Sequence, residues 1–144
     1  MHAYPHHYRA SASADSTSTV TLTGEGLPDL ATTPPPEFGG PEGYWSPETL
    51  LTASVADCFI LTFRAIARAS KLDWTHIECD VAGTLDRVDR VTRFTRFDLT
   101  ARLEVPAGTD REKAEKLLHK SEAMCLITAS LNTENHLETV VTGS

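Results

Sequence analysis

Apolar and polar residues alternate in short bursts at the start of the chain and then change period. Tyr8, Ala10, Ala12 and Ala14 alternate with Arg9, Ser11 and Ser13, and the β-branched run TSTVTLTGEG, residues 17–26, ends in glycines that supply a turn. This predicts two modest paired strands. Residues 30–47, LATTPPPEFGGPEGYWSP, are rich in proline and glycine and predict a long connection of the kind that serves as a binding loop or a cover. Its aromatics Phe38, Tyr44 and Trp45 either line a pocket or seal the loop onto the core. Ser46-Pro47-Glu48 then predicts a helix start: a serine N-cap, proline at the first helical position and an acid in the first turn. The helix should run to about Ser70. Leu50, Leu51, Val55, Cys58, Phe59, Leu61 and Ile66 leave almost no polar face before Arg64, so it is expected to be buried on nearly all sides.

Period two returns after Trp74. In HIECDVAGTL, residues 76–85, Ile77, Cys79 and Val81 face one way and Glu78 and Asp80 the other. In TRFTRFDLTARLEV, residues 92–105, Phe97, Leu99, Ala101 and Leu103 alternate with Arg96 and Asp98. Cys79 therefore reads as a core residue. GTDREKAEKLLHKS opens a second helix, with Thr109 and Glu112 at capping-box spacing and Ala114, Leu117, Leu118 and Ser121 on one face. EAMCLITASLN continues it or begins a third short helix, with Cys125 at the junction, and HLETVVT closes as a strand. The order of elements is an α+β pattern.

Composition narrows the function classes. The chain has 144 residues, 40% of them hydrophobic, which suits a single domain over residues 1–144. Its net charge of −7 offers no basic field for nucleic-acid phosphates or an anionic membrane surface. The arginines between Arg87 and Arg102 are interleaved with Asp86, Asp89, Asp98 and Glu104, as on a solvated strand face. The start, MHAYPHHYRA, lacks a basic entry into an apolar core, and no stretch approaches the ~20 apolar residues of a membrane span, so a cytoplasmic protein is expected. No metal site is supported, because His2, His6 and His7 sit at the terminus and His76, His119 and His136 are singly placed. Three cysteines without CxxC spacing fit neither a secreted disulfide framework nor a zinc ribbon. Cys58, on the apolar helix, reads by its position alone as a buried structural cysteine.

SPETLLTASVADC reads P-E-x-L-L-x-A-x-x-x-x-C, and a second cysteine follows 67 residues later in KSEAMCLITASLN. This combination resembles the OsmC/Ohr family of thiol-dependent hydroperoxide reductases, over nearly the whole chain. The resemblance implies an OsmC-like fold, antiparallel sheets around a long buried helix and a second helix, in an intertwined homodimer. It implies that Cys58 is the peroxidatic thiol and Cys125 the resolving one, that Glu48 belongs to the active site, and that no cofactor is bound. An external dithiol of lipoyl type would recycle the enzyme. The chemistry requires two thiols: one becomes a sulfenic acid and the other condenses with it to a disulfide. An apolar wall would favour organic hydroperoxides, since hydrogen peroxide has no tail to bury.

Two departures from the family pattern stand out. The family's activating arginine, held by a glutamate at the position of Glu48, has no counterpart, since no arginine or lysine lies between Arg9 and Arg64. Arg9, Arg93 and Arg96 are the candidates for that role. Leu126 stands where many members have proline. Glu48 and Cys58 are ten residues apart, about 15 Å along a helix and about 80° around it, so Glu48 is expected to approach Cys58 of another chain. Three readings stay open: a dithiol peroxidase, an OsmC-like redox-responsive or small-ligand-binding protein, and a structural protein whose cysteines are core residues.

Overall fold

The computed structural model, which describes residues 1–143, contains strands β1 (Ser11–Ser13), β2 (Val20–Thr23) and β3 (Leu30–Thr32), then a 3-10 turn (Pro36–Phe38) and helix α1 (Pro47–Ala69). Strands β4 (His76–Val88) and β5 (Val91–Val105) come next, followed by helices α2 (Arg111–Met124) and α3 (Leu126–Ala129) and strand β6 (Glu134–Gly143). The chain divides into two compact units, residues 1–50 and the part from Leu51 onward.

In the first unit β1, β2 and β3 form an antiparallel sheet in that order. The third strand falls inside the stretch expected to be loop. It is only three residues long, too short to show a period, and Pro34 to Pro36 stop it because proline has no N–H for a ladder. The turn from β2 is closed by the Leu27 N–H donating to the Gly24 carbonyl at 3.0 Å, with Gly26 at φ 72° supplying the left-handed step. The loop returns beside β3, where the Thr33 N–H donates to the Trp45 carbonyl at 3.1 Å. Ser46 then caps α1 as expected. The Thr49 N–H donates to Ser46 Oγ at 3.1 Å and the Ser46 N–H to Thr49 Oγ1 at 2.8 Å, a reciprocal pair that satisfies two orphan donors at the helix start.

The second unit holds the main hydrophobic cluster, built from Phe59 and Phe63 of α1, alternate residues Phe97 to Val105 of β5, and Ala114, Leu117 and Leu118 of α2. Here the period-two and helical readings match the burial observed. The sheet order is β4-β5-β6, with β4 antiparallel to β5. β6, however, pairs parallel to β5, which corrects the expectation of antiparallel sheets. The connection through α2 and α3 carries the chain back to the starting end of β5, and such a helical crossover delivers a parallel neighbour. Gly83 on β4 sits opposite Phe97, and a Cβ there would lie 2.8 Å from that ring and 3.0 Å from Thr52 Oγ1 of α1. Its lack of a side chain makes room for the Phe94–Phe97 stack, whose centroids are 5.2 Å apart.

Two further expectations change. α1 buries one face, Val55, Phe59, Phe63, Ile66 and Ala67, instead of nearly all sides, and Leu61 is 50% exposed. By length and composition α1 is also long and apolar enough to cross a membrane, contrary to the expectation that no stretch approaches that length. Its packed face belongs to the same cluster as Phe97 and Leu118.

The N-cap of α2 is Asp110, not Thr109: its side chain accepts from the Lys113 N–H at 3.1 Å. Thr109 instead closes a turn, its N–H donating to the Pro106 carbonyl at 3.2 Å. Lys113 Nζ reaches the Ser70 carbonyl at 2.8 Å, tying the start of α2 to the residue after α1. Asp110→Ala should therefore lower stability by about 1 kcal/mol in urea unfolding, while Thr109→Ala should cost less than half as much.

Candidate functional site

α2 does not run into α3. At Cys125 the backbone turns extended, with φ −64° and ψ 116°, so this one residue ends the first helix and caps the second. Its N–H donates to the Glu122 carbonyl at 3.3 Å, while its carbonyl accepts from the Ala129 N–H at 3.0 Å and from Thr128 Oγ1 at 3.2 Å. The first N–H groups of a helix have no partner inside it. Those of Leu126 and Ile127 are directed instead at Cys58, on α1.

Cys58 is half-buried, and Cys125 is 2% exposed. Each thiol shifts the ionisation of the other. Thr62, one helical turn beyond Cys58, places its Oγ1 3.8 Å from the Cys58 sulfur. Burial pushes the Cys58 thiol up. The Ile127 N–H, the Cys125 thiol, the Thr62 hydroxyl and the Leu126 N–H all favour the thiolate and together carry it below the ordinary thiol value. For Cys125 burial pushes up and wins; the Thr128 amide and hydroxyl pull the other way, and acting as donor to Cys58 adds to the rise. Of this pair, Cys58 ionises first.

Cys79 lies on β4 opposite Ala101 and packs half-buried against the core, as its period predicted. Burial, then the charges of Asp80 and Cys125, push its thiol up to about 12. It is held protonated, the condition of an unreactive thiol.

Two of the three candidate arginines are engaged by other groups. Arg96 donates to both carboxylate oxygens of Asp98 at 2.9 Å, and Arg93 donates to the carbonyls of Phe94 and Asn132 at 3.2 Å. Arg9 is exposed, next to β1. Among the described residues the groups acting on Cys58 are amides, a thiol and a hydroxyl, and no arginine is one of them. The arginine-rich strand face is solvated as expected, with Arg96–Asp98 and Arg102–Asp80 as exposed ion pairs. Glu48 lies in the first turn of α1 and, with Phe38, lines a cavity within residues 1–50, while Tyr44 and Trp45 line a shallower one. The helix between Glu48 and Cys58 is continuous. No group of three or more His, Cys, Asp or Glu is arranged to hold a metal among the described residues.

Sequence reasoning missed Thr62 and the two amides. Thr62 had a signal, its i+4 spacing from Cys58 on the same helical face. The amides had none, because backbone direction is not a property of residue type.

The model of the OsmC-like protein family matches residues 39–140, and the chain belongs to that family. In fold it is similar to an OsmC-like protein of unknown function from Vibrio cholerae, with TM-score 0.85, 19% identity, and coverage of 94% of this chain and 100% of that one. It is likewise similar to an organic hydroperoxide resistance protein from Legionella pneumophila, with TM-score 0.77, 24% identity, and coverage of 97% and 99%. The organic hydroperoxide resistance protein OhrB of Bacillus subtilis aligns with TM-score 0.65, 23% identity, and coverage of 92% and 98%. No curated protein matches the chain.

The thiol environments set an order of reactivity. In alkylation by iodoacetamide followed by mass spectrometry, Cys58 should react first, with a midpoint below the ~8.5 of a free cysteine, and Cys79 last. Because Cys79 is raised, the unfolded thiol ionises before the folded one. Stability should therefore fall as pH rises from 9.0 towards about 12, and Cys79→Ser should flatten that slope.

Proposed function

We propose that the protein is a thiol-dependent peroxidase that reduces organic hydroperoxides. The observation that carries this reading is the placement of Cys58 on α1, with the Thr62 hydroxyl 3.8 Å from its sulfur, and of Cys125 at the α2–α3 junction, where each thiol influences the other's ionisation. The Cys58 thiolate attacks the terminal peroxide oxygen, the O–O bond breaks, and the alkoxide leaves and takes up a proton as the alcohol. Sulfur is oxidised to the sulfenic acid. The Cys125 sulfur then attacks it, its proton leaves with the hydroxyl as water, and a Cys58–Cys125 disulfide forms. An external dithiol of lipoyl type reopens the bond by exchange and departs as its own disulfide. A cytoplasmic setting agrees with this cycle, since the disulfide has to be reduced at every turnover.

The catalytic set is Cys58, Cys125 and Glu48. In this reading the amides of Leu126 and Ile127 and the Thr62 hydroxyl take over the activating role for which no arginine is in place. The half-exposed Leu61, together with exposed Met124 and Leu126, leaves apolar surface beside the thiol-bearing elements that a second copy would cover, which supports a homodimer. The partner subunit's Glu48 would then complete each Cys58 site. A second reading, a redox-responsive or ligand-binding protein with slow turnover, is favoured by the engagement of Arg93 and Arg96 with other groups.

Cumene hydroperoxide with reduced dihydrolipoamide tests these readings. Wild type should consume peroxide and pass through a Cys58–Cys125 disulfide. Cys58→Ser should be inactive, and Cys125→Ser should stop as a sulfenic or sulfinic acid at Cys58. Thr62→Val should raise the Cys58 pKa and slow its oxidation several-fold, about the effect of one hydrogen bond to an ionised group. Disulfide formation without turnover would select the sensor reading, and oxidation falling first on Cys79 would remove both. Assembly is tested by refolding Glu48→Ala together with Cys58→Ser: heterodimers should regain activity in one of their two sites, and a fully active monomer in light scattering would refute the shared site.

A further inference from the structure

Thr128 carries a buried hydroxyl for which the cycle so far has no use. It lies in the short helix that Cys125 caps, and its Oγ1 donates to the Cys125 carbonyl at 3.2 Å. That carbonyl does not depend on it, because it also accepts from the Ala129 N–H at 3.0 Å. A hydroxyl has one proton and turns about its C–O bond, so it can leave an acceptor that keeps a second donor. Thr128 acts on the Cys125 sulfur as well, since its amide and hydroxyl both pull that thiol down against burial.

Access decides when that donor is needed. Met124 and Leu126, on either side of Cys125, are 57% and 65% exposed, whereas Cys125 is 2% exposed, so its side chain is turned inward. A second copy covering this surface would only bury it further. Cys58 is half-buried. In a disulfide joining the two, a thiol from solution therefore meets the Cys58 sulfur and not the Cys125 sulfur. Acidity alone argues the other way, because the more acidic Cys58 is the better leaving group. Access wins, since a sulfur that cannot be reached cannot be attacked whatever its partner's acidity. Cys125 must then depart as a thiolate at a buried position, where desolvation opposes the charge.

We propose that Thr128 is the positioning residue of the reductive step: its hydroxyl turns from the Cys125 carbonyl to the Cys125 sulfur as that sulfur leaves the disulfide. The inference deepens the peroxidase reading and rests on its Cys58–Cys125 disulfide. A thiolate of the external dithiol bonds to the Cys58 sulfur, the Cys58–Cys125 bond breaks with its electron pair on Cys125, and Cys125 takes up the proton the dithiol gave up. The dithiol's second sulfur then attacks its first, closes its own disulfide and releases Cys58 as a thiolate, the remaining proton passing to solvent.

Oxidation with diamide makes the disulfide without peroxide, which separates this step from peroxidase turnover. When the diamide-oxidised full chain is treated with 2-mercaptoethanol and quenched with iodoacetamide, peptide mapping should find the mixed disulfide on Cys58 and the alkyl label on Cys125. Dihydrolipoamide should reduce oxidised Thr128→Val about three- to tenfold more slowly than wild type, the effect of one hydrogen bond to an ionised group carried partly into the rate. Thr128→Ala serves in its place should the valine variant not fold. Thr128→Ser, which keeps the hydroxyl, should be reduced at the wild-type rate. In a background of Cys58→Ser and Cys79→Ser, thiolate absorbance should show the Cys125 pKa rising in Thr128→Val. Peroxide attack by Cys58 comes before Cys125 carries charge and should not slow. A mixed disulfide on Cys125, a Thr128→Ser as slow as Thr128→Val, or peroxide attack slowed as much as reduction would each overturn the proposal. Reduction that follows the expected pattern in a protein consuming no peroxide would support the role of Thr128 and remove the peroxidase reading. No Cys58–Cys125 disulfide from diamide or peroxide would overturn both.

Discussion

A helix of four residues has more backbone N–H groups at its start than it can satisfy, and α3 depends on something outside itself to take them. Cys58 takes two, from Leu126 and Ile127. A thiol sunk among apolar side chains would otherwise be a weak acid and chemically idle. Fixed donors that point at the sulfur before it ionises change that balance without a formal positive charge. The same backbone break that frees the amides also sets Cys125 beside Cys58. One extended residue between two helices thus supplies both the activating donors and the second thiol.

That junction can be held in place only because its surroundings are rigid. α2 is capped at Asp110, tied to Ser70 through Lys113 and packed through Ala114, Leu117 and Leu118 into the cluster that also holds Phe59 and Phe63 of α1. Shifting α2 would move Cys125 relative to Cys58. The parallel pairing of β6 with β5 has the same effect, since it closes the crossover containing both short helices. Gly83 contributes from the opposite strand by leaving space for the phenylalanine stack beside Thr52 of α1.

The three cysteines differ although their intrinsic chemistry is identical. Cys79 has burial and like charge and no donors, and it is pushed far up. Cys125 has burial partly offset by Thr128. Cys58 has burial overcome by four donors. A family likeness in sequence points to two of these positions, and the differences among the three environments give a physical reason for the order in which they lose protons.

The sequence by itself determined the element order apart from β3, the cap at Ser46, the length of α1, the buried faces of α2 and β5, and the core placement of Cys79. Each of these rests on periodicity or on a side chain acting within a few residues of its own position. The family resemblance added the expectation that Cys58 and Cys125 form a pair. Elements whose signal is too short were hidden: β3 is three residues long, and the α2 cap lies one residue from where the spacing placed it. Only the tertiary structure decided that β6 runs parallel to β5, that α1 keeps an uncovered side, and that the donors to Cys58 are backbone amides and Thr62 in place of an arginine. Those outcomes depend on where distant segments meet and on which way peptide groups point, and neither is encoded in the identity of any one residue.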